Sequence, residues 1–90
     1  MNRTNTQTGL RYKDDKAVLA WELGNELQAP VAWVREMAAH VKHQAPRQLV
    51  AESYFTANDN PNVDLVQDHL YQGDPEKMIA QIRTSAKSAA

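Results

Sequence analysis

The sequence predicts an α/β fold with parallel strands, and three observations carry that prediction. Short apolar runs recur at residues 17–20, 49–51 and 63–66, each bounded by loop or turn chemistry. Between the first two runs the apolar spacing changes to that of a helix. After the third, Gly73-Asp74-Pro75 opens a second helical stretch. Strands alternating with helices pair in parallel through right-handed crossovers.

The elements follow in order. Residues 1–16 mix Asn, Thr, Gln and Gly with Lys13-Asp14-Asp15-Lys16 and show neither periodicity, so they read as a loop with room for one helical turn. The first strand is assigned to residues 17–26; its run is β-branched at Val18 and aromatic at Trp21. The first helix is assigned to 30–45. Val34, Met37, Ala38 and Val41 fall at i, i+3, i+4 and i+7 and make one apolar stripe. Pro30 suits a helix start and Pro46 a stop. The second strand covers 48–52. Asn58-Asp59-Asn60-Pro61-Asn62 is turn chemistry. The third strand covers 63–71. The second helix covers 74–88, with Asp74 as N-cap, Pro75 at its first position, and Met78, Ile79, Ile82 and Ala86 as its apolar side.

Bulk composition excludes several classes. Ten Lys and Arg against eleven Asp and Glu leave no basic footprint for nucleic acid or an anionic membrane surface. No apolar run approaches the roughly 20 residues of a membrane span. With no cysteine, disulfide scaffolds and thiol chemistry are excluded. The first 15 residues lack the apolar centre of a signal peptide, which leaves the compartment undecided.

A three-stranded parallel sheet also raises a covering problem. Parallel strands need both faces covered, and two helices cover one at best. Two edges stay open. The sequence therefore reads as a piece of a larger sheet or barrel; the alternative is a small stand-alone interaction protein that oligomerises through its edges.

In a parallel α/β array the carboxyl ends of the strands share one face, where such folds place their sites. Asn25 and Glu26 end the first strand, and His69 and Tyr71 end the third. An amide, a carboxylate, an imidazole and a phenol thus converge from two strands.

On these residues the chain resembles glycoside hydrolase family 5, especially its retaining endo-β-mannanases. "RYKDDKAVLAWELGNEL" looks like that family's fourth-strand region, which ends in an Asn-Glu pair, and "NTQTGLRYKDD" is similar to the loop leading into it. "QAPRQLVAES" resembles the start of strand five. "NVDLVQDHLY" resembles strand six, whose pattern ends in His-x-Tyr. The resemblance spans residues 5 to 85. It implies part of a (β/α)8 barrel, whose complete form needs about 250 residues. It also implies a polysaccharide or oligosaccharide substrate and no cofactor. Glu26 would be the general acid/base, Asn25 would bind the sugar 2-hydroxyl, and His69 and Tyr71 would line the cleft. The nucleophile, which in the family ends strand seven, would lie outside the chain, so the 90 residues alone are expected to be inactive. Two departures concern substrate more than clan. Leu27 stands where the family often has Pro, and Ala45-Pro46-Arg47-Gln48-Leu49-Val50 replaces Asp-Pro-Asn-His-Leu-Val. A barrel glycosidase of another family, with a cellulase or glucanase substrate, is the other reading.

Other residues invite readings of their own. Strict alternation puts Glu22 on the side of Glu26, where a barrel interior would demand a buried partner, unless a bulge near Gly24 changes the parity. His40 and His43 are three apart on a helix, but with no third ligand apparent a metal is not expected. Trp33 reads as packing rather than a sugar platform. Tyr54 and Phe55 follow the second strand, where sugar-stacking aromatics and ordinary packing fit equally. Glu52, ending that strand, is open between a site and a structural role.

Overall fold

In the computed structural model residues 1–53 and 59–89 are described. Three strands, β1 (Ala20–Glu22), β2 (Leu49–Ser53) and β3 (Leu65–Gln67), form one sheet in the order β1-β2-β3. Both pairings are parallel. Ala20 stands opposite Leu49, Trp21 opposite Val50 and Glu22 opposite Ala51; Ala51 stands opposite Leu65 and Ser53 opposite Gln67. Helices α1 (Val31–Gln44) and α2 (Pro75–Ala89) follow β1 and β3.

Helix α1 forms where its stripe requires. Val34, Ala38 and Val41 are buried, and Ala38 and Val41 cluster with Val50 of β2. Trp21, Leu23 and Val63 pack against that cluster. Pro30 is the residue just before the helix, and its carbonyl accepts the Val34 N–H at 3.1 Å. Gln44 is the last helical residue; Ala45 still donates its N–H to Val41 O before Pro46 turns the chain away. Trp33, expected to pack, is 41% exposed.

The strands are shorter than the sequence suggests. Backbone pairing between β1 and β2 runs from Leu19 O to Leu23 N, and the chain then turns at Gly24. β3 ends at Gln67 instead of running to residue 71. Gln67 is the register partner of Ser53, the last residue described in β2. His69 and Tyr71 therefore sit beyond the strand.

Helix α2 is started as its sequence demands. Asp74 Oδ1 accepts the Glu76 N–H at 3.0 Å, and Asp74 O accepts the Met78 N–H at 2.9 Å. Its apolar side is not covered, however. Ile79 and Ile82 are about half exposed, and none of its described residues is buried. The radius of gyration is 15.4 Å, against about 12 Å for a compact domain of this length.

The N-terminal loop is ordered by local bonds. Thr4 and Arg11 form an antiparallel bridge, Gly9 takes φ +74°, and Tyr12–Asp14 make one 3-10 turn. A buried amide ties this loop to the sheet. Gln48, 4% exposed, accepts the Trp21 indole N–H through Oε1 and donates Nε2 to the carbonyls of Tyr12 and Asp15. Gln48 thus satisfies a polar network that would otherwise be costly to bury. Across the sheet, Asp64 Oδ2 accepts the Val50 N–H at 2.9 Å and Lys42 Nζ at 2.7 Å, joining β2, the entry to β3, and α1.

Candidate functional site

The carboxyl edge of the sheet brings Glu26, His69 and Tyr71 together. Glu26 lies in the turn after β1 with φ +48°, a left-handed conformation that is uncommon for a residue with a side chain. Such backbone costs of order 1–3 kcal/mol and tends to mark functional positions. Gly24 precedes Glu26 in close approach to Leu27: a Cβ at Gly24 would lie 3.2 Å from Leu27 Cβ, a tight contact.

Two donors from the segment after β3 meet one oxygen of this carboxylate. Glu26 Oε1 is 3.0 Å from His69 Nδ1 and also accepts the Tyr71 hydroxyl in a short hydrogen bond. The other ring nitrogen of His69, Nε2, is 3.4 Å from Gln67 Oε1. The hydrogen bond from Tyr71 is the main reason that the Glu26 carboxyl titrates below its ordinary range; the hydrogen bond and charge of His69 add to this, and partial burial opposes it. Glu26, Ser53, Asp68, His69 and Tyr71 line a cavity of about 290 Å³ at this edge. Asn25, the fourth expected site residue, is exposed and does not line it.

Two further acidic residues lie nearby: Asp68, to which the sequence assigns no role, and Glu52, whose role the sequence leaves open. Asp68 lines the cavity and accepts a short hydrogen bond from Ser85 Oγ of α2. Its signal was its position next to His69. Glu52 is 1% exposed. Its Oε1 accepts the Ser53 N–H at 3.0 Å, while Oε2 has no partner among the described residues. Burial raises its carboxyl above the ordinary range; the Ser53 N–H opposes this and the charge of Glu22 reinforces it. Glu22 itself is exposed, so the buried partner demanded of it is not needed here. His40 and His43 are exposed on α1. Among the described residues no group of three His, Cys, Asp or Glu converges as a metal site. Tyr54, Phe55 and Asn58 lie outside the described residues.

A carboxylate fixed by two donors, at the carboxyl ends of parallel strands, can exchange protons with a bound molecule. A family model described as GH family 5 beta-mannosidase-like matches residues 1–79. The chain belongs to glycoside hydrolase family 5. Among curated proteins it is similar to mannan endo-1,4-beta-mannosidase 4 of Oryza sativa subsp. japonica, at 36% identity over 96% of this chain and 21% of the relative. It is also similar to mannan endo-1,4-beta-mannosidase 7 of Arabidopsis thaliana, at 50% identity over 47% of this chain and 12% of the relative. A third, mannan endo-1,4-beta-mannosidase 8 of Oryza sativa subsp. japonica, is 43% identical over 56% of this chain and 16% of the relative. The chain thus spans about a fifth or less of these family 5 relatives. No solved structure matches it.

Proposed function

We propose that these residues form the acid/base side of a retaining endo-β-1,4-mannanase site on a (β/α)8 barrel, with Glu26 as the proton-transferring carboxyl. The observation that carries this reading is the meeting of Glu26 with His69 and Tyr71 at the carboxyl edge of a parallel sheet. The mannan-cleaving names of its family 5 relatives supply the substrate class.

In such a reaction Glu26 donates its proton to the glycosidic oxygen as a second carboxylate attacks the sugar carbon. It then removes a proton from the water that releases the sugar from that carboxylate. The ionised state favoured by Tyr71 and His69 suits the second, base half. The acid half needs the carboxyl protonated, and a second carboxylate about 5 Å away supplies that bias as well as the nucleophile. Asp68, the other carboxylate lining the cavity, is engaged by Ser85. We assign the nucleophile to sequence outside these 90 residues, Asn25 to the sugar 2-hydroxyl, and His69 and Tyr71 to the cleft wall.

Two measurements test this. The purified 90-residue chain is expected to release no reducing ends from β-1,4-mannan; hydrolysis would place the nucleophile inside the chain. Manno-oligosaccharide is expected to shift the NMR signals of Asn25, Glu26, His69 and Tyr71. Shifts elsewhere only would refute the site, and equal shifts with cello-oligosaccharide would refute the mannan assignment.

A further inference from the structure

We propose that the hollow between the segment after β3 and helix α2 holds a further sugar of the polysaccharide, beside the sugars at Glu26. The hollow has a volume of about 640 Å³, within the roughly 300–1,000 Å³ of small-molecule sites. It adjoins the Glu26 cavity, because Asp68, His69 and Tyr71 line both. A polymer cleaved at an interior bond runs on past the reacting sugars. A chain leaving the first cavity on this side therefore enters the second.

The lining suits a neutral, polyhydroxylated guest. Helix α2 contributes Gln81, Thr84 and Ser85, whereas Met78, Ile79 and Ile82 of its apolar side do not line the hollow. Among the described residues no lysine or arginine lines it, so nothing there selects an anion. Gln72 Oε1 accepts the Asp74 N–H at 3.2 Å, a bond that fixes which end of the amide is oxygen and leaves Nε2 to donate. Ser85 Oγ donates to Asp68 Oδ2, and Thr84 Oγ1 donates to the Ala80 carbonyl at 3.0 Å, so both hydroxyls are left as acceptors. Sugar hydroxyls both donate and accept, and match such a mixed set. Tyr71 stands where the two cavities meet, 82% exposed, with its hydroxyl held by Glu26. An aromatic ring pinned at its polar end and exposed along its body offers an apolar surface to the C–H face of a pyranose. The identity of the sugar rests on the glycosidase reading of the Glu26 cavity; the lining of the hollow does not.

The test titrates β-1,4-mannotetraose into the ¹⁵N-labelled 90-residue chain. The side-chain amide signals of Gln72 and Gln81 are followed together with the signals of Glu26 and His69. Mannotetraose is expected to move both sets. Gln72→Ala is expected to weaken its binding about three- to tenfold, the size of one lost hydrogen bond. Shifts at Glu26 and His69 with both amides unmoved would overturn the hollow as a subsite and spare the glycosidase reading. Shifts at the two amides alone would uphold the hollow as a sugar site and sink the acid/base assignment. No shift in either set overturns both. An unchanged affinity in Gln72→Ala, with the backbone amide spectrum retained, overturns the subsite as well. If that variant unfolds, Gln81→Ala, on the exposed surface of α2, decides by the same measurement. The same amide shifts on raising protein concentration without sugar would place a second copy of the chain in the hollow, and would also overturn it.

Discussion

Replacing Asp64 tests what holds the three strands in register. Its Oδ2 accepts the N–H of Val50, a residue with no exposed surface, and the ammonium of Lys42. Asp64→Ala leaves the Val50 N–H without its partner, which costs about 1–3 kcal/mol. The Lys42 pair is partly exposed, with both side chains near 30% accessible, so its loss adds about 0–1 kcal/mol. Together these give about 1–4 kcal/mol. With a urea slope of about 1 kcal/mol per molar for a chain this small, the unfolding midpoint should fall by about 1–4 M. Asp64→Asn keeps a carbonyl oxygen for the N–H and loses only the charge, so it should cost about 1 kcal/mol or less. The pH dependence has a definite sign. The Lys42 hydrogen bond holds the folded Asp64 carboxyl below its ordinary range, with the Val50 N–H helping and desolvation opposing. Its stabilisation is present above the unfolded value of about 3.9 and is lost as pH falls through the lower folded value. The gap between wild type and Asp64→Asn should close in acid. Urea midpoints for the three proteins at pH 7 and pH 2.5 decide the matter. Asp64→Ala no worse than Asp64→Asn, or a gap that survives in acid, would refute the clamp.

Three further outcomes are expected. Glu52→Gln removes a buried carboxyl with one oxygen unpartnered among the described residues. Since burial raises the folded value, wild type loses stability as pH climbs from about 4.3 through that raised value, and the variant does not. The variant should be the more stable at pH 7.5 by about 1 kcal/mol and equal at pH 4; a pH-independent difference in denaturation midpoint would contradict this. Tyr71→Phe should move the Glu26 titration, followed by side-chain ¹³C shifts, upward by more than His69→Gln does, because the tyrosine bond is the larger cause; the reverse order would show that His69 dominates. Amide exchange should be fast along α2, which has no buried residue and is near the length at which an isolated helix is marginal, and slowest at Val50 and Ala51. Equal protection of α2 and β2 would mean that its exposed side is covered in solution.

Helix α1 was legible because its evidence is local: one stripe at helical spacing and a proline at either end. The α2 cap was legible for the same reason, since Asp74 and Glu76 are two residues apart. Strand lengths were not, because a strand's extent depends on pairing with a neighbour distant in sequence, as Gln67 pairs with Ser53. Glu26, His69 and Tyr71 could be grouped in advance because parallel strands expose their carboxyl ends on one side. Asn25 was grouped with them by adjacency, yet the turn that gives Glu26 its positive φ leaves Asn25 exposed and off the cavity. The networks of Gln48 and Asp64 link residues up to 36 positions apart and have no periodic signature. The departure at Ala45–Val50 from the family 5 pattern falls on one of them: Gln48 holds Trp21 and the N-terminal loop, so that substitution bears on the amino end of the sheet and not on the carboxyl edge where Glu26 lies.

The contacts that position Glu26 do not give it the proton affinity that the proposed acid role needs. The position of Glu26 comes from contacts within these 90 residues: the turn after β1, and two donors from beyond β3. Those same donors stabilise the anion, and anion stability is the opposite of what a general acid requires at the moment of leaving-group departure. A raised affinity needs burial or a nearby negative charge. Glu26 has little of the first, with 35% of its side chain exposed and Tyr71 82% exposed beside it. Asp68, the carboxylate that shares the cavity, accepts a hydrogen bond from Ser85 of α2. Covering the cleft and adding a second carboxylate would shift Glu26 in the required direction without moving it. On this reading the 90 residues supply the aim of the proton, and what packs over the carboxyl edge decides when it is given up.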